Sequence, residues 1–351
     1  MKSKIFTIIT AIALVIGFGL VYVTTQNVVM EVSKTASEEA EIAESNNKTL
    51  RQREVDIAHL EDQQEIYHIL AGGDVMLDRG VESRIRNQGE GDWTFPWHNI
   101  AAEFRAADIA FANLEGSMSS VGSDTGKKYS FRFNTEAIKG LEFAGFDVLS
   151  LANNHMLDWG RESLCETTKN LDRARIGYVG AGCDSQQAHH PYITQLGNTR
   201  VAFLAYTTFY EGAHATDTRA GMTKLDRTEM KETIRQLKEE QGIDVVLLSM
   251  HWGIEYDTRS SKREQDFAHE LIDAGLDVLI GHHPHVVQEV ERYADGWIIY
   301  SLGNLVFDQY FSQNTMRGLV ADIQIQNGRV YDIQPKMIQM NENYQPSMMD
   351  T

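Results

Sequence analysis

Cysteine is almost missing from this sequence, with only Cys165 and Cys183 among 351 residues. So low a count excludes a disulfide scaffold and leaves no thiolate set for a soft-metal site. Cys165 falls in a helical stretch and Cys183 in the loop after the next strand; an exported protein could pair them, but free, buried small residues are the favoured reading. Basic clusters are missing too. The 32 Lys and Arg are set against 50 Asp and Glu, a formal charge of −18. Phosphate-backbone binding needs grouped cations, so nucleic acid is excluded as a partner. There is no internal repeat, no P-loop and no Rossmann glycine pattern.

What is present begins with MKSK and then IFTIITAIALVIGFGLVYV (5–23), an uncharged run of 19 residues. At about 1.5 Å per residue this run just crosses a bilayer core of roughly 30 Å. It is long for a cleaved signal peptide and lacks a nearby A-x-A site. Residues 1–24 are therefore expected to form a cytoplasmic tip and an uncleaved transmembrane anchor. Lys2 and Lys4 would stay inside, placing the rest of this single-pass protein outside the cell membrane. Residues 25–65 are polar and charged, the composition of a partly helical, solvated stalk, with a short coiled-coil contact through Val55, Ala58 and Leu60 as the lesser alternative.

From residue 66 the pattern changes. YHILAGG (67–73), DIAFAN (108–113), FDVLSLA (146–152), VAFLAYT (201–207), IDVVLLSM (243–250) and LDVLIG (276–281) read as buried strands. Segments with apolar spacing of three and four separate them, at 135–145, 225–242 and 262–275. This alternation predicts a layered α/β domain over 66–340, with 341–351 as a tail. Toward the C-terminus the strands become consecutive and antiparallel, with Asn327-Gly328 as a hairpin turn.

Five of the buried strands run directly into oxygen or imidazole donors. Asp74 and Asp78 follow the first, Glu115 the second, and Asn153, Asn154, His155 and Asp158 the third. His251 follows IDVVLLSM, and VLIGHHPHVVQ carries His282, His283 and His285. Each donor alone is ordinary loop chemistry. Together they predict a site at the carboxyl ends of the strands. Imidazole and carboxylate without thiolate suit Zn, Mn or Fe. A shared carboxylate would hold two divalent cations at about 3.5–4 Å.

GGDVML, NLEGS, LANNHMLDWG, HWGIEY, GHHPHVVQ and YSLGNLVFDQ, in that order, closely resemble the CapA/PgsA family of poly-γ-glutamate capsule proteins, a branch of the calcineurin-like metallophosphoesterases. The resemblance runs from about 66 to 335 and implies a four-layer αββα sandwich. It also implies Asp74 as first metal ligand, Glu115 as the bridge, Asn154, His251 and His283 on one cation, and His285 on the other. H-x-H spacing on an extended segment would place His283 and His285 on one side, with His282 turned away. His155 would be the general acid, oriented by Asp158, in metal-dependent hydrolysis at a phosphoryl or acyl centre. Two departures from the wider superfamily stand out: Met76 where a histidine is usual, and glutamate at 115 in place of aspartate. Asp78 is a candidate replacement donor.

Arg132 is a candidate for gripping an anionic polymer or phosphoester, Arg317 reads as a surface ion pair, and Asn304 is placed to bind substrate or back the site. Trp159 and Trp252 read as packing. The expected partners are the membrane and the membrane subunits of a poly-γ-glutamate synthase. A non-catalytic scaffold and a general exported phosphoesterase are the competing functions.

Overall fold

The computed structural model describes residues 65–209 and 212–349, with scattered helical residues between 20 and 52. Most of the expected anchor and stalk, including Val55, Ala58 and Leu60, lies outside the described residues. Among the described residues no helix is long and apolar enough to cross a membrane. The chain divides into two units, 1–62 and 63–351, and among the described residues every strand belongs to the second.

Two large sheets make up the centre of that second unit. The strands of the first are β1 (Tyr67–Val75), β2 (Ile109–Leu114), β3 (Val148–Ser150) and β4 (Gly177–Val179). The second comprises β5 (Tyr192–Leu196), β6 (Thr199–Thr207), β7 (Val245–His251), β8 (Val278–His282), β9 (Val290–Tyr293) and β10 (Gly296–Ile299). The chain then returns to the first sheet with β11 (Asn304–Val306), β12 (Arg317–Gln326), β13 (Arg329–Met340) and β14 (Pro346–Met348). The eight-stranded sheet runs β14-β13-β12-β1-β2-β3-β4 with β11 also beside β1, and the six-stranded one runs β9-β10-β8-β7-β6-β5. β1 to β4 are mutually parallel, as are β6, β7 and β8, so their carboxyl ends share one edge of each sheet.

The apolar pattern explains the layers. Strands β2 and β7 are buried at every position, as expected for strands covered on both faces. One core cluster joins Ile69, Phe111 and Val148 of the first sheet to Phe203, Leu247 and Ile280 of the second, with Phe111 and Phe203 stacked at 5.6 Å. Each large side chain buried this way contributes about 1.5–3 kcal/mol. Helices cover the outer faces. Val81 and Ile85 of α1 (Arg79–Asn87), Phe104 of α2 (Ala101–Ala106), Leu141 of α3 (Ile138–Ala144) and Leu164 and Leu171 of α4 (Gly160–Ala174) close one side. After α5 (Ser185–His189), Met230 and Ile234 of α6 (Arg227–Arg235) and Phe267 and Leu271 of α7 (Lys262–Asp273) close the other. This is the expected four-layer αββα arrangement. Gly145 in the left-handed region ends α3, and Ser261 and Glu264 form a capping box at the start of α7.

Two expectations are corrected. Cys165 and Cys183 are not free: the segment after β4 runs back beside α4, their Cα atoms stand 5.3 Å apart, and a disulfide joins them. Nor is 341–351 a separate tail, because β14 pairs with β13 and Gln345 Nε2 donates to Phe95 O at 2.7 Å. The Asn327-Gly328 turn is as expected, both residues at positive φ between antiparallel β12 and β13.

Four aspartates secure the amino ends of the strands. Asp108, Asp147, Asp244 and Asp277 each precede a buried strand, and each accepts at 2.7 Å from a backbone N–H of the neighbouring strand: His68, Ala110, Arg200 and Val246 respectively.

Candidate metal centre

The opposite edge is built differently. Asp74 lies near the end of β1, Glu115 follows β2, His251 ends β7 and His282 ends β8, and all four are fully buried. Glycines let the backbones close in around them. A Cβ at Gly73 would sit 2.0 Å from Gly303 O, and one at Gly281 would sit 1.8 Å from Tyr300 O. The carboxyl ends of the two sheets meet here. His251 Nε2 lies 2.9 Å from Asn154 Oδ1 across the sheets, and the His283 N–H donates to Asp74 Oδ2 at 3.2 Å.

Ligand atoms of Asp74, Glu115 and His251 lie within 4.8 Å of one another, as do those of Glu255, His283 and His285. Glu115 stands between the sets, its Oε1 3.6 Å from His285 Nε2 and 3.8 Å from His155 Nε2. All six expected donors are thus brought to one place. The expected extended geometry of the H-x-H segment is corrected: His283 has φ 98° and His285 φ 58°, so the chain bends at both, and His283 groups with His285. His282 is not turned away from the cluster either; its Nδ1 is 3.2 Å from Asp74 Oδ1.

Electrostatics mark the cluster as incomplete. Burial pushes the Glu115 carboxyl well above the usual carboxylate range, and the Asp74 charge adds to this. Burial would also raise Asp74, but contacts with His282 and His285 outweigh it and hold Asp74 well below its ordinary value. Burial drives His251 well down, and burial together with His285 lowers His283 to about 3, so both rings are neutral and keep a lone pair. Several buried side-chain polar atoms lack a hydrogen-bond partner among the described residues, and Glu115 Oε1, His282 Nε2 and His283 Nδ1 are three of them. Native interiors leave few such atoms, so their concentration here indicates a missing positive ligand. A donor set of carboxylate oxygen and neutral imidazole fits a divalent cation.

A family model described as bacterial capsule synthesis protein PGA_cap matches residues 68–309. The chain belongs to that family. Among its relatives is the capsule biosynthesis protein CapA of Bacillus anthracis, 33% identical over 277 residues, 76% of this chain and 66% of that protein. The PGA biosynthesis protein CapA of Bacillus subtilis is 32% identical, with 71% of this chain and 65% of that protein covered. The chain thus spans just under two thirds of either relative's length. Similar solved structures include a 5′-nucleotidase precursor from Thermus thermophilus, 12% identical with a TM-score of 0.47, covering 81% of this chain and 56% of that chain. A phosphatase from Mycoplasma pneumoniae is 11% identical with a TM-score of 0.45, covering 80% of this chain and 96% of that chain.

Every donor of this PGA_cap domain lies inside the matched span, and so does an arm beside them. His155 Nδ1 is 2.6 Å from Asp158 Oδ2, which leaves Nε2 facing Glu115. Asp158 is itself held by Lys127 Nζ at 2.6 Å and by the Phe131 N–H at 3.0 Å. Burial lowers the affinity of His155 for its proton and Asp158 opposes that, with a net downward shift. Phe131 stacks on the ring at 4.0 Å. A cavity of about 370 Å³ opens on this arm, lined in part by Arg79, His155, Glu255, Tyr256, His285 and Phe311.

Other candidates fall elsewhere. Arg132 does not line this cavity; its guanidinium stacks on Trp159 at 3.6 Å. Asn304 is fully buried and does not line this cavity; its Oδ1 is 2.9 Å from His285 Nδ1 and its Nδ2 donates to Thr315 O, so it holds the orientation of His285. Asp78 is no replacement donor: it caps α1, its oxygens taking the N–H groups of Arg79 and Arg132. Arg317 bonds Gln339 and not a carboxylate. Trp252 is packed as expected, 2% exposed with Nε1 donating to Tyr300 O.

Sequence reasoning missed Asn113, whose Nδ2 donates to Asp74 Oδ1 at 2.8 Å, although its place two residues before Glu115 signalled a shared strand face. Glu255, in HWGIEY, carried a similar signal. Lys127 and Arg79 carried none, since a cation in a polar loop looks like any other.

Proposed function

We propose that this chain is the CapA-like member of a poly-γ-glutamate capsule machinery, anchored by residues 5–23 in the cell membrane with its sandwich domain outside, beside the membrane subunits of the synthase. The domain acts as a metal-dependent hydrolase on a phosphoryl or acyl centre of the metallophosphoesterase kind. The capsule reading is supported by family membership and by the relatives' names. The observation that carries the hydrolase reading is the buried cluster with unpartnered Glu115 Oε1 and His283 Nδ1 beside a braced histidine.

Asp74, Glu115, Asn154, His251, His283 and His285 would hold two divalent cations, which when bound would polarise the phosphoryl or acyl centre under attack and offset the charge developing on its oxygen. The remaining work falls to side chains. Asp158, fixed by Lys127 and the Phe131 N–H, keeps the His155 Nδ1 proton and ring orientation. Water supplies the attacking oxygen, and His155 in its imidazolium form, with a second proton on the Nε2 that faces the cluster, gives that proton to the leaving oxygen. Phe131 shields one face of the ring from water. Asn113 and Asn304 fix Asp74 and His285 at their stated distances.

The test is cation uptake and turnover by the full-length protein in detergent, with Mn, Zn or Fe, on p-nitrophenyl phosphate esters and on poly-γ-glutamate. Cation-dependent turnover is the expected result. A protein that takes up none of the three metals would end the proposal. Met76, buried and bonded through Sδ only to the Asp78 N–H, favours the scaffold as the second reading. Cation uptake without turnover on any of these substrates would select it.

A further inference from the structure

We infer that Glu255 is a metal ligand, and that the centre holds two unequal cation positions: a buried one at Asp74, Glu115 and His251, and a second at the cavity mouth at Glu255, His283 and His285. This rests on the metal-centre reading above and adds a ligand and a division of labour to it. Among the described residues these two are the groups of three or more His, Cys, Asp or Glu whose ligand atoms all approach within 4.8 Å.

The backbone explains why Glu255 arrives there. After His251 the chain turns at Gly253, φ 88°, and Tyr256 sits at φ 69°. The Tyr256 N–H donates to Pro284 O at 2.8 Å, tying this loop to the middle of the H-P-H segment. A single backbone bond therefore fixes Glu255 against the residues on either side of Pro284. His283 supplies the independent sign of a ligand: it is 5% exposed and its Nδ1 has no hydrogen-bond partner. A buried imidazole nitrogen is costly to leave unpaired unless something accepts its lone pair. His285 Nδ1 is directed to Asn304 Oδ1, which leaves its Nε2 for a cation.

The two positions differ in access. Asp74, Glu115 and His251 are fully buried, whereas Glu255 is partly exposed and lines the cavity. The mouth cation should exchange with solvent and with chelator faster than the inner one.

The experiment loads the full-length protein in detergent with Mn²⁺, measures bound metal by mass spectrometry and follows its loss to EDTA by Mn²⁺ electron paramagnetic resonance. Wild type should release two ions per chain in two phases. Glu255→Gln should bind one and lack the fast phase, with mouth affinity weakened more than about 100-fold, beyond the loss of an outer-shell partner. Glu255→Asp should restore part of that phase, and an unchanged melting temperature would show both variants folded. If Glu255→Gln keeps the wild-type metal content and release phases, the inference is overturned while the metal centre stands. If wild type binds no Mn²⁺, Zn²⁺ or Fe²⁺, the proposed function fails instead.

Discussion

Carboxylates stand at both edges of the sheets, and the two edges treat them oppositely. At the amino edge, Asp147 accepts from the Ala110 N–H and Asp277 from the Val246 N–H and from Lys238 Nζ, all at 2.7 Å. The backbone answers as well: the Asp147 N–H donates to Ala110 O, and the Asp277 N–H to Val246 O. Each of these aspartates closes a two-point clamp on one neighbouring residue. At the carboxyl edge, Glu115 is fully buried, more enclosed than either aspartate, yet among the described residues Oε1 has no partner, and after burial the largest influence raising its pKa is another carboxylate, Asp74. Carboxylates that complete a hydrogen-bond pattern hold the fold together. Those left incomplete in a dry pocket mark the place where a ligand is needed.

The sharpest break of this contrast is substitution at the incomplete edge. Asp74→Asn and Glu115→Gln should each weaken cation binding by at least about 100-fold, measured by metal content after dialysis. Glu115→Gln should leave the melting temperature of the metal-free protein unchanged or raised, because it replaces a carboxyl whose ionisation burial opposes with a neutral group of the same shape. A large drop in that temperature would mean that Glu115 is structural. Next in size is His155→Ala, which should keep both cations and reduce turnover by about 10²–10⁴-fold. Unchanged turnover would remove His155 from the mechanism.

The contrast also shows what could be read beforehand. Apolar runs placed the strands to within two residues at either end, because a strand buried on both faces tolerates little else: IDVVLLSM was expected at 243–250 and β7 spans 245–251. The donors at strand ends were legible because each directly follows such a run. The clamps were present in the same strings, DIAFAN, FDVLSLA, IDVVLLSM and LDVLIG, but one sequence does not tell which neighbouring strand an aspartate faces. Likewise Glu255 was visible in HWGIEY, while its approach to His283 depends on a bond from Tyr256 to Pro284 that no spacing rule supplies. The disulfide was missed for the same reason, since it depends on a return of the chain after β4.

At the amino edge smaller effects follow. Asp277→Ala and Asp147→Ala each strand a buried N–H and should lower stability by about 1–3 kcal/mol, read from denaturant midpoints, with metal content unchanged. A loss of cations in either variant would show that the two edges are coupled.

The smallest effect tests whether the clamp needs charge at all. Burial raises the Asp147 carboxyl above its ordinary value of 3.8, against the opposing Ala110 N–H. The native state therefore binds the Asp147 proton more tightly than the unfolded chain does. By linkage, the Asp147 contribution to stability is largest below pH 3.8, declines as pH rises through the raised value, and is flat above it. Asp147→Asn keeps an oxygen for the Ala110 N–H but has no proton to lose, so it lacks that decline. Relative to wild type, the Asn variant should therefore gain stability as pH climbs through this window, and at neutral pH it should lie closer to wild type than Asp147→Ala does. Denaturant midpoints of the three proteins across the acid range would check this. An Asn variant that instead falls behind wild type as pH rises would mean that the clamp depends on the carboxylate charge.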